Sequence, residues 1–274
     1  MKILHSIKEC KKWRKSAIGT VGFVPTMGAL HVGHLSLIKT SQKKCINTLV
    51  SIYINPTQFN NKEDLKAYPR NIDKDLEKLR DFKEIIVYTP SDNDIYSKMT
   101  SKDYDFDELD KVMEGKYRPG HFNGVATVVE KLFTIFKPNN AYFGEKDFQQ
   151  LQIIKALVKK LKLSVNIIGC ETVRDRGGLA LSSRNNLMSK EEKGDAREIN
   201  KLLYKAKKML SSYSVEEIRE RVKEELNSLK YCELEYFEID DLGRYSKFLA
   251  EDGKRIFIAC WIGKTRLIDN IPIK

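Results

Sequence analysis

No stretch of about 18 consecutive apolar residues occurs in the chain, so no transmembrane helix is expected. The opening MKILHSIKECKKWRK has too short an apolar run for a secretory signal, and a cytoplasmic protein is expected. Five cysteines (Cys10, Cys45, Cys170, Cys232, Cys260) are scattered, odd in number and never arranged as CxxC. Reduced thiols and no zinc site follow. Four histidines include no HExxH, and His31 and His34 have no third metal ligand close in sequence. GxGxxG is absent, which removes the dinucleotide fingerprint. Gly28 and Gly33 have P-loop spacing, but His34-Leu35 stands where Lys-Ser/Thr is required. Gly263-Lys264-Thr265 ends like a Walker motif, yet Ile258 occupies the position of its first glycine. No internal repeat and no low-complexity tail is present.

What is there fits a globular protein of one large or two modest domains: 274 residues, 41% hydrophobic and 32% charged. The net charge of +11 favours anionic partners such as nucleotides and carboxylates. The lysines are spread over almost every segment, so the charge does not argue for nucleic acid.

The organising stretch is Val21–Ile38, VGFVPTMGALHVGHLSLI. An apolar run at Val21–Val24 reads as a buried strand, Pro25, Thr26 and Gly28 break it, and Leu35, Leu37 and Ile38 begin a helical pattern. Free backbone N–H groups collect at such a helix start and favour phosphate. His31 and His34 at its mouth would donate to phosphoryl oxygens.

Before this stretch, Ser6–Ser16 has the pattern of an amphipathic helix. After it, Leu35–Lys44 reads as a crossover helix and Cys45–Ile54 as a central parallel strand ending in the turn Asn55–Phe59. Ligands of open α/β sheets sit beyond the carboxyl ends of strands, so Gln58 is expected on the same rim as His31 and His34. Asn71–Phe82 is a charged helix, Glu84–Tyr88 a third strand and Ser91–Asp110 a polar loop with short structure. Gly115–Gly124, with Arg118 and His121, reads either as an anion-touching loop or as plain turn chemistry. Val125–Phe136 is a helix and Asn140–Phe143 a strand; Gly144–Asp147 opens a long helix with Gln149 and Gln150 on its first turn. Ser164–Cys170 is one more strand. The loop Glu171–Asn186 carries hydroxyls at Ser182 and Ser183 and a planar fork at Arg184. Helices at Ser189–Leu210 and Val215–Leu229 and strands at Tyr231–Ile239, Arg255–Ile262 and Thr265–Ile268 make a smaller α+β module. The alternation up to Cys170 argues a parallel sheet with helices on both faces.

Four separated blocks share one likeness. PTMGALHVGHLSLI resembles the His-x-Gly-His signature of nucleotidylyltransferases and class I aminoacyl-tRNA synthetases. With NPTQF, GEKDFQQLQII and ETVRDRGGLALSSRN, the chain resembles the pantothenate synthetase (pantoate–β-alanine ligase) family. That resemblance implies a Rossmann-like sheet domain (1–175) and a carboxyl-terminal lid domain (176–274). It implies ATP-dependent condensation of (R)-pantoate with β-alanine through a pantoyl adenylate, releasing AMP and pyrophosphate, with Mg2+. It also implies a cytoplasmic homodimer with no membrane or nucleic-acid partner.

Carried over by position, Met27, Gly28, Ala29, Leu30, His31, Val32, Gly33 and His34 would hold ATP, His34 as proton donor and His31 beside it on the phosphates. Gly144, Glu145, Lys146 and Asp147 would join them, Lys146 neutralising phosphate charge and Asp147 meeting the ribose. Val173 would meet adenine through its backbone. Leu181, Ser182, Ser183 and Arg184 would close on the phosphates. Gln58 would contact pantoate and β-alanine, and Gln150 pantoate. Asp73 and Asp75 are candidates for magnesium, although ATP's own oxygens can fill most of its shell. The competing readings are another His-x-Gly-His nucleotidylyltransferase and a basic RNA-binding module. The ligase reading requires Gln58 and Gln150 to share one cavity with His31 and His34.

Overall fold

The computed structural model describes residues 1–96 and 102–273. Strand β1 (Lys2–Leu4) leads into helix α1 (Ile7–Ser16), which Ser6 and Glu9 close with a reciprocal capping box. Then come β2 (Val21–Thr26), α2 (Val32–Lys44) and β3 (Asn47–Ile52). Helices α3 (Lys62–Ala67) and α4 (Ile72–Leu79) precede β4 (Ile85–Tyr88). Helices α5 (Asp92–Tyr96), α6 (Met113–Tyr117) and α7 (His121–Phe136) lead to β5 (Asn140–Gly144). Helix α8 (Phe148–Lys160) connects it to β6 (Asn166–Cys170). Past a 3-10 turn at Ser183–Leu187 lie α9 (Lys190–Met209) and α10 (Val215–Asn227). Strands β7 (Cys232–Asp240), β8 (Arg255–Ile262) and β9 (Thr265–Pro272) complete the chain.

The first six strands form one parallel sheet in the order β1-β4-β3-β2-β5-β6. The direction of winding reverses between β2 and β5, and such a switch point opens a crevice at the strands' carboxyl ends. Both faces of the sheet are covered. Phe23, Ala141 and Phe143 pack with α7 and α8, while Val24, Val50 and Tyr142 pack with Leu37 and Ile38 of α2 and Leu79 of α4. A strand buried on two faces needs apolar residues at successive positions, which is why these segments read as unbroken apolar runs.

The antiparallel sheet β7-β8-β9 is covered twice as well. Ile256, Ile258, Cys260 and Ile262 of β8 face α9 and α10, whereas Phe257 and Ala259 belong to the same core as the parallel sheet. The module is thus sealed onto the larger domain by shared apolar surface. No helix among the described residues is long and apolar enough to cross a membrane.

The structure departs from the sequence reading at several ends. β1 is three residues long, too short for a periodicity to show, and makes β4 the fourth strand rather than the third. α2 starts at Val32, one turn before Leu35, because His31 caps it. α3 was not expected; α5 supplies the short structure expected within the polar loop at 91–110, whose residues 97–101 lie outside the described ones. The glycine-rich segment 115–124 is largely helical, and α7 starts at His121 rather than Val125. Gly124 sits inside that helix for a steric reason. A Cβ there would lie 2.5 Å from the Thr57 carbonyl oxygen, so only glycine lets α7 meet the Asn55–Phe59 turn this closely.

Candidate active site

Loops from the ends of β2 and β5 meet at the switch point and wall a cavity of about 250 Å³, room for a substrate and not only for ordered water. Met27, His31, Gly33 and His34 line it from the β2 side, and Gly144, Lys146, Asp147 and Gln150 from the β5 side. Gln58, Val173, Leu181, Ser182, Ser183 and Arg184 also stand on its wall. So do Arg118, His121 and Tyr68. The condition set by the sequence reading holds: both glutamines and both imidazoles open onto one space.

Gly28, Ala29, Leu30, Val32 and Glu145 do not line the cavity. Leu30 is buried in the core beside α2, and Val32 is exposed. The loop's backbone donors are also not free for phosphate. Ala29 N–H and Leu30 N–H donate to the two oxygens of Asp75, at 2.8 and 2.7 Å. Gly28 (φ +79°) and Ala29 (φ +48°) are both left-handed, and a Cβ on Gly28 would press on Asp75 Oδ2 at 3.0 Å. Asp75 thus stabilises an unfavourable turn. With both oxygens so engaged it is a poor candidate for magnesium, which corrects that expectation. Asp73 lies on the exposed first turn of α4. Among the described residues no group of three or more His, Cys, Asp or Glu could hold a metal ion.

The imidazoles cap α2 for each other. Gly33 N–H donates to His31 Nδ1 (3.1 Å), and His31 N–H donates to His34 Nδ1 (3.3 Å). An acceptor Nδ1 is bare, so both rings carry their proton on Nε2. Burial holds both neutral, with Lys146 adding to the effect at His31 and His31 at His34. The pKa of His31 falls to about 4 and that of His34 to about 3. The rings are therefore neutral N–H donors at physiological pH rather than imidazolium acids.

A pH dependence follows. Unfolded histidine takes a proton near 6.5, whereas these two, and His121 (lowered to about 4 by burial and Arg118), resist it in the folded state. Their contribution is complete above pH 6.5 and is lost as pH falls toward 4, by up to about 1.4 kcal/mol per pH unit for each ring. Urea midpoints measured from pH 7.5 to 4.5 should fall steadily below 6.5; a flat profile contradicts the assignment.

Gln58 is held from three sides. Its Nε2 donates to Met27 Sδ (2.8 Å), its Oε1 accepts from Asn55 Nδ2 (3.2 Å), and its carbonyl accepts from His121 Nδ1 (2.7 Å). Asn55 Nδ2 also donates to the Gly124 carbonyl, tying this turn to α7. The two neighbouring glutamines of α8 have different fates. Both reach the cavity wall, but Gln149 is buried and its amide is spent on Glu114 N–H, the Leu109 carbonyl and the Val112 carbonyl. No feature of the dipeptide distinguishes them; only helical phase does.

The β5 turn is fixed from the carboxyl-terminal module. Asn270 Nδ2 donates to the carbonyls of Glu145 and Lys146, both at 2.9 Å, and Arg255 approaches the Glu145 carboxylate at 3.4 Å. Lys146 Nζ lies 3.2 Å from Asp147. Across the cleft, Arg184 pairs with Asp64 of α3 at 2.8 Å, and Ser183 Oγ donates to the Tyr68 hydroxyl. Asn270, Asp64 and Tyr68 were missed by sequence reasoning because each acts from an element remote in the chain.

A parallel α/β sheet with an imidazole-lined cleft at its switch point and a second sheet closing one side defines an enzyme of the nucleotide-dependent α/β class. A sequence profile described as pantoate-beta-alanine ligase matches residues 2–272. Pantothenate synthetase of Flavobacterium psychrophilum is 48% identical over 260 residues, covering 93% of this chain and 92% of that protein. The crystal structure of pantothenate synthetase from Thermus thermophilus superimposes with a TM-score of 0.90 at 33% identity, over 100% of this chain and 99% of the other. A pantoate-beta-alanine ligase structure from Francisella tularensis, complexed with beta-gamma ATP and beta-alanine, gives 0.83 at 38% identity, over 100% and 98%. The chain belongs to the pantoate-beta-alanine ligase family and is an enzyme of that type.

Proposed function

We propose that the protein joins (R)-pantoate to β-alanine at the expense of ATP in two steps within this cavity. A pantoate carboxylate oxygen attacks the α-phosphorus and pyrophosphate leaves, giving pantoyl adenylate. The β-alanine nitrogen then attacks the acyl carbon, loses a proton, and AMP leaves. The observation that carries this reading is the convergence of His31, His34, Lys146, Gln58 and Gln150 on one space. A carboxylate is a poor acylating agent, and adenylation gives it a good leaving group. Phosphoryl transfer needs mainly positioning and charge stabilisation, which neutral imidazole N–H donors and a lysine supply.

In this reading His31, His34 and Lys146 meet the phosphates, and Asp147 the ribose. The Val173 backbone meets adenine, and the two glutamines orient the acid. Gly28, Ala29 and Leu30 act by shaping the loop. Arg184 exchanges Asp64 for a phosphate oxygen, and residues 176–274 cover the nucleotide and keep water from the adenylate. Magnesium would arrive with ATP, since the described residues offer it no carboxylate cage.

The test is product analysis with pantoate, MgATP and labelled β-alanine. Pantothenate and AMP in equal amounts, with pantoate-dependent exchange of pyrophosphate into ATP when β-alanine is omitted, are expected. A dinucleotide-like product, or no AMP, overturns the reading.

A further inference from the structure

The second substrate of the proposed reaction is a zwitterion whose carboxylate takes no part in the chemistry. A carboxylate entering a partly dehydrated cleft needs a buried cation with unused donors. Three cationic side chains stand on the cavity wall among the described residues: Lys146, Arg184 and Arg118. Lys146 is grouped with the imidazoles and Asp147, and Arg184 is paired with Asp64. Arg118, beside Gln58, hydrogen-bonds to no carboxylate among the described residues.

We infer that Arg118 is the receptor for the carboxylate of the amino-acid substrate, held in place by His121. Arg118 Nη1 donates to His121 Nε2 at 3.1 Å, and Nη2 to the Gln58 carbonyl at 3.3 Å. His121 Nδ1 donates to that same carbonyl, which fixes its tautomer and leaves Nε2 as an acceptor. The guanidinium is thus anchored at two points on one side. Its Nε and the remaining terminal hydrogens have no acceptor among the described residues.

The nearest counter-ion does not claim them. Glu114 Oε2 is 3.5 Å from Nη1 without a hydrogen bond, and the Glu114 carboxylate is already bonded by Arg266 at 2.6 and 2.9 Å and by the Tyr236 hydroxyl. A planar fork anchored this way presents two parallel donors, the shape that reads a carboxylate. The substrate class is accordingly a short ω-amino acid, with its amine directed past Gln58 to the acyl carbon. His121 is a positioning residue, and Arg118 touches substrate. This inference rests on the proposed two-step reaction.

The experiment compares the unsubstituted protein with Arg118→Met and Arg118→Lys in three assays. These are pantoate-dependent pyrophosphate exchange, amide formation with β-alanine, and amide formation with n-propylamine, which has a methyl group where β-alanine has its carboxylate. The unsubstituted protein should prefer β-alanine by about 10³ or more in kcat/KM, the scale of a buried polar partner left unmatched. In Arg118→Met the β-alanine value should fall by about 10³, mostly through KM, so that the preference over propylamine nearly vanishes. The exchange reaction should fall far less. Arg118→Lys should regain about tenfold, charge without the fork.

A preference unchanged in Arg118→Met, or exchange falling as far as β-alanine use, overturns the inference. Equal use of the two amines by the unsubstituted protein overturns it without any variant. Absence of pantoate-dependent exchange in that protein instead sinks the two-step reaction itself.

Discussion

His34→Ala should lower both pyrophosphate exchange and overall turnover by about 10²–10³, the cost of one preorganised donor at a developing charge, or about 2.7–4 kcal/mol of transition-state stabilisation. The structure specifies how the donor is prepared. The His34 ring is half-buried, its Nδ1 accepts the His31 backbone N–H, and its proton therefore sits on Nε2. With a pKa of about 3 it needs no protonation step to become active. The rate should accordingly show no acid limb near pH 6.5, since the ring stays neutral well below that value. The same substitution removes a cap from α2, worth about 1 kcal/mol of stability, too little to empty the folded state. A thermal melt beside the kinetics separates the two effects. Near-normal turnover in a folded His34→Ala removes the ring from the chemistry, and an acid limb near 6.5 that vanishes in the variant would mean a charged imidazole.

The sequence carried the site unevenly, for physical reasons. Residues at the ends of β2 and β5 were legible because a parallel sheet gathers its strands' carboxyl ends on one rim, so a glycine loop after an apolar run locates itself. Gln58 was placed on that rim by the same argument. The occupation of the loop's N–H groups by Asp75 was not legible. The two partners are separated by the whole β3 segment and α3, and nothing in either stretch announces the contact. A histidine acting as a helix cap was likewise hidden, since caps are ordinarily recognised by Ser, Thr, Asp or Asn. Arg118 and His121 were visible as residues but not as a pair. Their segment's three glycines suggested a loop, whereas Gly115 and Gly124 are there for close backbone approach inside helices. The carboxyl-terminal contribution was the least legible, because it depends on which face of β8 and β9 meets the larger domain.

That seam is where a single substitution should cost the most stability. Arg266 of β9 donates to Glu114 through both terminal nitrogens and to Glu235 through Nε and Nη2. Burial alone would raise the Glu114 carboxyl, but Arg266 outweighs it and holds the pKa at about 2. Glu114 therefore stabilises the fold above pH 4.5 and loses that contribution only as pH falls toward 2, a lower window that overlaps the acid end of the histidines'. Arg266→Met leaves the buried Glu114 charge with only the Tyr236 hydroxyl and the more distant Arg118, and should cost about 3–5 kcal/mol in urea unfolding, a large part of an ordinary domain's stability. Adding Glu114→Gln removes the stranded charge while an amide can still accept from Tyr236. The double variant should therefore be more stable than Arg266→Met alone. If the two losses simply add, the carboxylate is not stranded. If Arg266→Met costs less than about 1 kcal/mol, the pair is solvated, and the two sheets are held together by Phe257, Ala259 and Tyr236 rather than by charge.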